Sequence, residues 1–152
     1  MKDKIGIFWF RQDLRLNDNF ALVEIIKKCS KIIPIFIYDE ESRIGSASKW
    51  WLYNSLNNLD KSLRLKNSQL LYFKGNPLKI LKKFVDEHNI TDVTWNRLYD
   101  KYSIKRDTLI KESLSAKNIK VQTFNGSLLY EPWEIKNKSY SFFKVFTPFW
   151  KA

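Results

Sequence analysis

The chain has 152 residues, of which 44% are hydrophobic and 16% aromatic, so it accommodates one globular domain and its composition argues against disorder. Its one cysteine, Cys29, excludes an intrachain disulfide and a cysteine-based metal site, and its one histidine, His88, argues against a zinc site. No stretch approaches the roughly 18 apolar residues of a membrane helix. No secretion signal is visible at the N-terminus, and we expect a cytoplasmic protein with no membrane partner.

Five short runs rich in apolar residues alternate with helical patterns along the chain. The first run is almost wholly apolar, as a strand buried on both faces should be. The second contains Pro34, which lacks a ladder donor and favours the start of a strand. The predicted strands are Ile5–Phe10, Ile32–Tyr38, Gln69–Lys74, Asp92–Asn96 and Ile119–Phe124.

Four segments between the strands have apolar residues at helical spacing. The second of them has leucines at 52, 56, 59 and 63, and the fourth covers roughly residues 102–117. The predicted N-caps are Asp18 for the first helix, Ser46 or Ser48 for the second, and Asn76 for the third, where Pro77 takes the first helical position.

The alternation of strands and helices predicts parallel strands joined by right-handed crossovers. We therefore expect a doubly wound, Rossmann-like α/β domain, with a five-stranded parallel sheet in the order 3-2-1-4-5 and helices on both faces. Such sheets bind ligands beyond the carboxyl ends of their strands, at the switch point. With this order the switch point lies between Phe10–Arg15 and Asn96–Tyr102.

Both segments carry side chains that suit a planar ligand with an anionic group. Arg11 can bind such a group or pair with a neighbouring aspartate, and the tyrosines suit stacking on a heterocycle. The alternative for each segment is a polar loop that leads into a helix. An acid after the second strand often meets a ribose hydroxyl, but the missing G-x-G-x-x-G motif argues against a phosphate cradle. The candidate ligand-binding residues are Phe10, Arg11, Gln12, Asp13, Asp39, Asn96, Tyr99, Asp100 and Tyr102.

No nucleophile with an adjacent base is visible, so we assign no catalytic residue and no metal ligand. The net charge of +11 indicates weak, non-specific DNA contact through phosphates, or alternatively a bias in residue usage, since the lysines are spread along the chain.

Four ordered motifs resemble those of the DNA photolyase and cryptochrome family. FWFRQDLRLNDNFAL at residues 8–22 resembles the family's opening signature. WNRLYDKYSIKRD (Trp95–Asp107), GSLLYEP (Gly126–Pro132) and YSFFKVFTPFWKA (Tyr140–Ala152) resemble three later segments. The resemblance covers essentially the whole chain and implies the family's N-terminal α/β domain, which holds a light-absorbing antenna chromophore.

The resemblance also implies a division of the chain. Residues 1–132 would form the α/β domain, and the aromatic segment 133–152 would lead toward a helical FAD-binding domain outside the sequence. In the family, photoexcited reduced FAD in that domain splits cyclobutane pyrimidine dimers flipped from DNA. We therefore expect this chain alone not to be catalytic. The alternatives are a cryptochrome-type blue-light photoreceptor domain and a free-standing nucleotide-binding α/β module.

The family's antenna is commonly a methenyl-folate, a deazaflavin or a flavin nucleotide. Folate-type members carry an Asn-Glu pair where this chain has Tyr102 and Ser103. Deazaflavin-type members often carry Arg where Gln12 stands and Asp where Leu98 stands. Because the chain departs from both patterns, we expect a flavin, or no chromophore, rather than a deazaflavin.

Overall fold

The sheet is built around the apolar run predicted as the first strand. The computed structural model describes residues 4–42 and 44–151 and contains five parallel strands in the order β3-β2-β1-β4-β5, which confirms the predicted fold class and strand order. The strand bounds differ by at most two residues from the predicted ones. The strands are β1 (Ile5–Phe10), β2 (Lys31–Tyr38), β3 (Leu71–Lys74), β4 (Asp92–Asn96) and β5 (Lys120–Phe124).

Helices cover both faces of the sheet. Side chains of α1 and α2 pack around Phe8 and Phe10 on one face, and side chains of α3 and α4 pack around Ile7 and Trp9 on the other. This follows from the strand geometry, because successive side chains of β1 point to opposite faces. The helices are α1 (Phe20–Lys28), α2 (Ser46–Arg64), α3 (Pro77–Glu87), α4 (Lys101–Ser115) and the short α5 (Phe146–Trp150), and a 3-10 turn spans Glu40–Ser42.

The first helix is capped by Asn19 and not by the predicted Asp18. The Asn19 side chain accepts a hydrogen bond of 3.3 Å from the backbone N–H of Leu22. An N-cap residue needs an extended backbone, which Asn19 has, whereas Asp18 lies in the left-handed region with φ of 48°.

The predicted N-cap of α2 is wrong and that of α3 is confirmed. Helix α2 begins at Ser46, its N-cap is Gly45, and no side chain caps it, so neither Ser46 nor Ser48 plays that part. Asn76 caps α3 as predicted, accepting from the backbone N–H of Lys79, and Pro77 is the first residue of the helix.

Pro34 lies inside β2, not at its start. β2 pairs with β1 from Lys31 onward but with β3 only from Ile35 onward. Pro34 therefore lies where the strand has one neighbour, which accommodates a residue without an N–H.

No helix in the described part of the chain is long and apolar enough to cross a membrane.

Close contact between β1 and α1 depends on Gly6. A Cβ atom at this position would lie 2.7 Å from Cδ1 of Ile25 and 2.8 Å from Sγ of Cys29. Both neighbours belong to the buried core, so neither has room to move away. The glycine therefore sets how closely α1 approaches the sheet.

Gly6→Ala is expected to lower the free energy of unfolding by about 1–3 kcal/mol through overpacking. Ile25→Val removes the nearest methyl group and alone should cost about 0.5–1.5 kcal/mol. Because the two changes relieve each other, the double variant should lose less than the sum of the single losses. Urea denaturation of the three variants measures this, and strictly additive losses would show that the contact at Gly6 is not the cause.

Candidate functional site

A cleft of about 1010 Å³ opens at the carboxyl edge of the sheet, where β1, β2 and β4 end. Its walls come from the segments that follow these strands, from the first half of α2 and from the start of α4. Because α2 and α4 lie on opposite faces of the sheet, the cleft straddles the sheet edge. The predicted cleft between the segments after β1 and β4 is one side of this wider cleft, which reaches over β2 to α2.

The structure separates the predicted site residues into two groups. The residues that line the cleft are Arg11, Gln12, Asp39, Asp100 and Tyr102. The residues that do not line it are Phe10, Asp13, Asn96 and Tyr99.

The guanidinium group of Arg11 is buried beneath the cleft, and the residue is 6% exposed. Its Nη1 donates to Oδ2 of Asp107 at 2.5 Å, and its Nη2 donates to the backbone oxygen of Asn96. Burial lowers the pKa of Arg11, while the Asp107 carboxylate opposes that shift. Arg11 is therefore paired within the protein, with an acid from α4 and not with one from its own loop.

The ion pairing continues across the cleft floor. Arg106 donates from Nη2 to Asp107 at 2.8 Å and from Nη1 to Asp39 at 3.1 Å. The hydroxyl group of Tyr102 donates to the same Asp39 oxygen at 2.8 Å. We call Arg11, Asp39, Arg106 and Asp107 the Arg–Asp network. Two cations and two carboxylates make it neutral as a unit.

The environment of the network shifts two further pKa values. Burial alone would lower the pKa of Arg106, but the carboxylates of Asp107 and Asp39 outweigh it and raise that pKa. Burial and the hydrogen bond to Asp39 raise the pKa of the Tyr102 phenol above its ordinary value of about 10. Tyr102 therefore stays a hydrogen-bond donor over the whole physiological pH range.

Both arginines of the network lie over the buried ring of Trp9. The guanidinium carbon of Arg11 is 5.1 Å from the ring centroid and that of Arg106 is 5.2 Å from it. Trp9 also lines the cleft, so cation–π contacts help to hold both cations in its floor.

Asn96 and Asp13 hold the loop after β1 onto the end of β4. The Asn96 amide donates to Asp13 at 2.5 Å and to the side-chain oxygen of Asn19 at 2.8 Å. Gly126 closes over them, since a Cβ atom there would lie 2.6 Å from Cβ of Asn96. These side chains are committed to one another and do not reach the cleft.

Phe10 and Tyr99 are also occupied elsewhere. Phe10 is fully buried against Phe8, with ring centroids 4.5 Å apart. The hydroxyl group of Tyr99 donates to Glu131 at 2.9 Å, and the same carboxylate pairs with Arg97. Asp100 lines the cleft but caps α4, accepting from the backbone N–H of Ser103 at 2.9 Å.

Sequence reasoning did not place three important residues in the site. Arg106 and Asp107 complete the Arg–Asp network, and the spacing of four between Tyr102 and Arg106 on one helix was the available signal. Trp51 of α2 lines the cleft and is 69% exposed. Its signal was a large aromatic residue outside the leucine face of that helix.

Among residues 4–42 and 44–151, no group of histidine, cysteine and carboxylate side chains is arranged to hold a metal ion. The cleft thus offers aromatic faces, neutral polar groups and a charge-balanced floor, which suits an organic ligand better than an ion.

The chain matches the family model described as DNA photolyase over residues 6–152. The deoxyribodipyrimidine photo-lyase of Agrobacterium fabrum is 37% identical over 147 residues, a match covering 96% of this chain and 31% of that protein. Cryptochrome-2 of Arabidopsis thaliana is 40% identical over 154 residues, which cover 98% of this chain and 25% of that protein.

Solved structures give the same result. A class III photolyase from Agrobacterium tumefaciens superposes with a TM-score of 0.94 and 36% identity, covering 99% of this chain and 32% of that one. An archaeal photolyase from Sulfolobus tokodaii, solved with two FAD molecules and described as implying a novel light-harvesting cofactor, has a TM-score of 0.79 and 30% identity, covering 90% of this chain and 33% of that one. The chain spans about a third or less of the length of these relatives.

Asp107→Asn is expected to lower the free energy of unfolding by about 3–5 kcal/mol, because it leaves the buried guanidinium group of Arg11 without its carboxylate partner and removes one of the two carboxylates that pair with the partly buried Arg106. Asp86→Asn is the matched control, since Asp86 pairs with Lys117 on the surface and its loss should cost less than about 1 kcal/mol. Chemical denaturation of both variants measures the difference. Equal and small losses would contradict a structural role for the Arg–Asp network.

Proposed function

Because the chain belongs to the DNA photolyase family and has the fold of its N-terminal α/β domain, we propose that it is the antenna-chromophore domain of a deoxyribodipyrimidine photolyase. The observation that carries this proposal is the cleft at the carboxyl edge of the sheet, with aromatic side chains from α2 and α4 in its walls. A cryptochrome-type photoreceptor domain is the second candidate, favoured by the 40% identity to Cryptochrome-2 of Arabidopsis thaliana.

The lining of the cleft fits a planar heteroaromatic ring. Trp51 and Tyr102 offer exposed aromatic faces, and Phe36 and Leu52 add apolar surface. Sites for organic ligands are typically apolar with a few placed polar groups, and the cleft volume lies at the upper end of their usual range. A flavin-sized ring system is therefore accommodated without rearrangement of the core.

The polar groups at the cleft favour a flavin over a deazaflavin. Gln12 and Leu98 both line the cleft, and by the family resemblance they stand where deazaflavin-type members often carry an Arg and an Asp. The cleft therefore lacks the charged contacts that the family resemblance implies for a deazaflavin. The Sulfolobus tokodaii photolyase with its two FAD molecules supports the same choice.

We assign different parts to the cleft residues. Trp51 and Tyr102 would stack against the ring, and Gln12 would bond its edge. Arg11 and Asp39 act one step removed, because their charges are paired and they hold Tyr102 and the cleft floor in position. When bound, the chromophore absorbs light and supplies the excitation energy.

Catalysis is proposed for a different part of the protein. The relatives are about three times longer than this chain, and we propose that their further length corresponds to a helical FAD domain that repairs pyrimidine dimers in DNA. None of residues 1–152 is assigned to that chemistry. The weak, salt-dependent DNA contact suggested by the net charge of +11 stays a prediction.

The aromatic segment near the end of the chain is the proposed contact to that helical domain. Its rings pack loosely on one another, with Phe146 and Trp150 stacked at 6.0 Å, yet these two residues are 70% and 72% exposed. This exposure supports a contact surface for another domain over packing of the segment against its own sheet. An exposed apolar patch of this kind marks an interaction surface.

Deletion of residues 141–152 is expected to reduce concentration-dependent self-association, because it removes the exposed rings. The matched control is Tyr53→Ser, which removes one exposed aromatic ring of α2 without touching the segment. Light scattering over a concentration series compares the forms. If the full and shortened chains are both monomeric over the whole concentration series, residues 141–152 do not cause self-association.

The chromophore proposal is tested by fluorescence titration of the chain with flavin mononucleotide, a deazaflavin and methenyl-folate. Trp51→Ala is expected to lower the affinity for the ligand by roughly tenfold, because one aromatic ring that stacks on the ligand is lost. Trp50→Ala is the matched control, since Trp50 is the neighbouring exposed tryptophan and does not line the cleft.

Flavin is expected to bind more tightly than the deazaflavin. If Trp51→Ala and Trp50→Ala weaken ligand binding equally, or if neither variant weakens it, the ligand binds outside the cleft.

A further inference from the structure

A second groove adjoins the cleft on its α2 side. It has a volume of about 530 Å³ and lies between the loop after β1 and the outer part of α2. Leu14, Arg15 and Ser55 line both the groove and the cleft. The two spaces therefore meet along a shared wall, and a ligand in the cleft can extend into the groove.

The charge of the groove differs from that of the cleft. Its charged lining residues are Arg15 and Lys66, and no carboxylate lines it in the described part of the chain. Asn17, Ser55, Asn58 and Ser62 complete its polar lining. In the cleft, by contrast, arginines are balanced by acids such as Asp39 and Asp100. A cationic groove with amide and hydroxyl groups suits an anion.

Arg15 is held in place without being neutralised. Its Nε donates to the backbone oxygen of Asp18 at 3.1 Å, and its Nη2 donates to the backbone oxygen of Gly126 at 2.7 Å. Both acceptors are neutral carbonyl groups, and within residues 4–42 and 44–151 no carboxylate forms a salt bridge with Arg15. The guanidinium group is thus oriented before any ligand arrives, which reduces the entropy that binding would cost.

We propose that this groove binds the anionic tail of the ligand whose ring occupies the cleft, with Arg15 at the junction and Lys66 further along. This inference rests on the proposed chromophore function. The shared chemistry of the tail is a phosphate or carboxylate group on a flexible chain, as in a flavin nucleotide or a folate with several glutamates. Continuity with the cleft favours a ligand tail over the backbone phosphates of a nucleic acid.

The test compares ligands that share a ring and differ in the tail. Riboflavin, flavin mononucleotide and FAD are titrated into the full 152-residue chain, and folates with one and with several glutamates form the second series. Within the series that binds, the tailed ligand is expected to bind on the order of tenfold more tightly than its uncharged or less charged counterpart. Raising the salt concentration from about 0.05 to 0.5 M should remove most of that advantage, because the groove is open to solvent.

Variants assign the effect to the groove. Arg15→Gln should remove most of the affinity advantage that the tailed ligand has over riboflavin. Lys66→Gln should reduce the affinity advantage of the tailed ligand by roughly two- to fivefold. This second variant tests the groove even if Arg15→Gln disturbs the loop after β1. Lys61→Gln is the matched control, because Lys61 lies in the last turn of α2 shortly before Lys66, carries the same charge and lines neither space.

The outcomes separate this inference from the proposed function. Equal affinity for tailed and untailed ligands, with ring binding still weakened by Trp51→Ala, would overturn the anionic-tail groove alone. Absence of binding by every ligand in both series would overturn the chromophore function and the groove together. Competition by a single-stranded oligonucleotide that depends on Arg15 and Lys66 but not on Trp51 would show that the groove serves nucleic-acid phosphates instead.

Discussion

The structure of the cleft depends on a buried positive charge at the end of the central strand. Arg11 leaves β1 beneath the cleft, and an isolated guanidinium group could not remain there, because burying an unpaired charge is costly. Asp107 supplies the counter-charge from α4, a helix that begins 90 residues later in the chain. This pair fixes α4 against the end of β1. It therefore also fixes the positions of Tyr102 and Arg106 on the same helix.

The Arg11–Asp107 pair also gives the floor of the cleft a different role from its walls. The Arg–Asp network is neutral and internally bonded, so the floor of the cleft supplies rigidity and not net charge. In the proposed binding mode, the ligand is recognised by the cleft walls, where Trp51 and Tyr102 are exposed, and by the adjoining groove, where Arg15 forms no salt bridge with a described carboxylate. A ligand with a neutral planar ring and an anionic tail matches both parts.

The sequence was sufficient for the fold because the fold depends on local patterns. Continuous apolar runs mark strands buried on both faces, and crossover helices of regular length leave little choice of strand order. It was insufficient for the site because side chains alternate along a strand. Trp9 faces the cleft floor and Phe10, the next residue, faces the core under α1, although both are aromatic residues at the end of the same strand.

Long-range pairing was the other obstacle. Nothing near Arg11 in the sequence indicates that its partner is Asp107 and not Asp13, and Asn96 gives no sign that Gly126 will close over it. Trp51 was missed because the sequence does not show which elements lie next to the exposed side of α2. A residue on that side is therefore expected to contact solvent.

The most direct test of the account is an NMR titration of the indole N–H signals. The chain has six tryptophans, each assigned by a Trp→Phe variant, and flavin mononucleotide is the added ligand. The cleft account predicts that the Trp51 signal shifts most, that the signal of Trp9 in the floor follows, and that those of Trp50 and Trp150 stay unchanged. Saturable shifts confined to Trp133 or Trp150, with Trp51 unaffected, would contradict it.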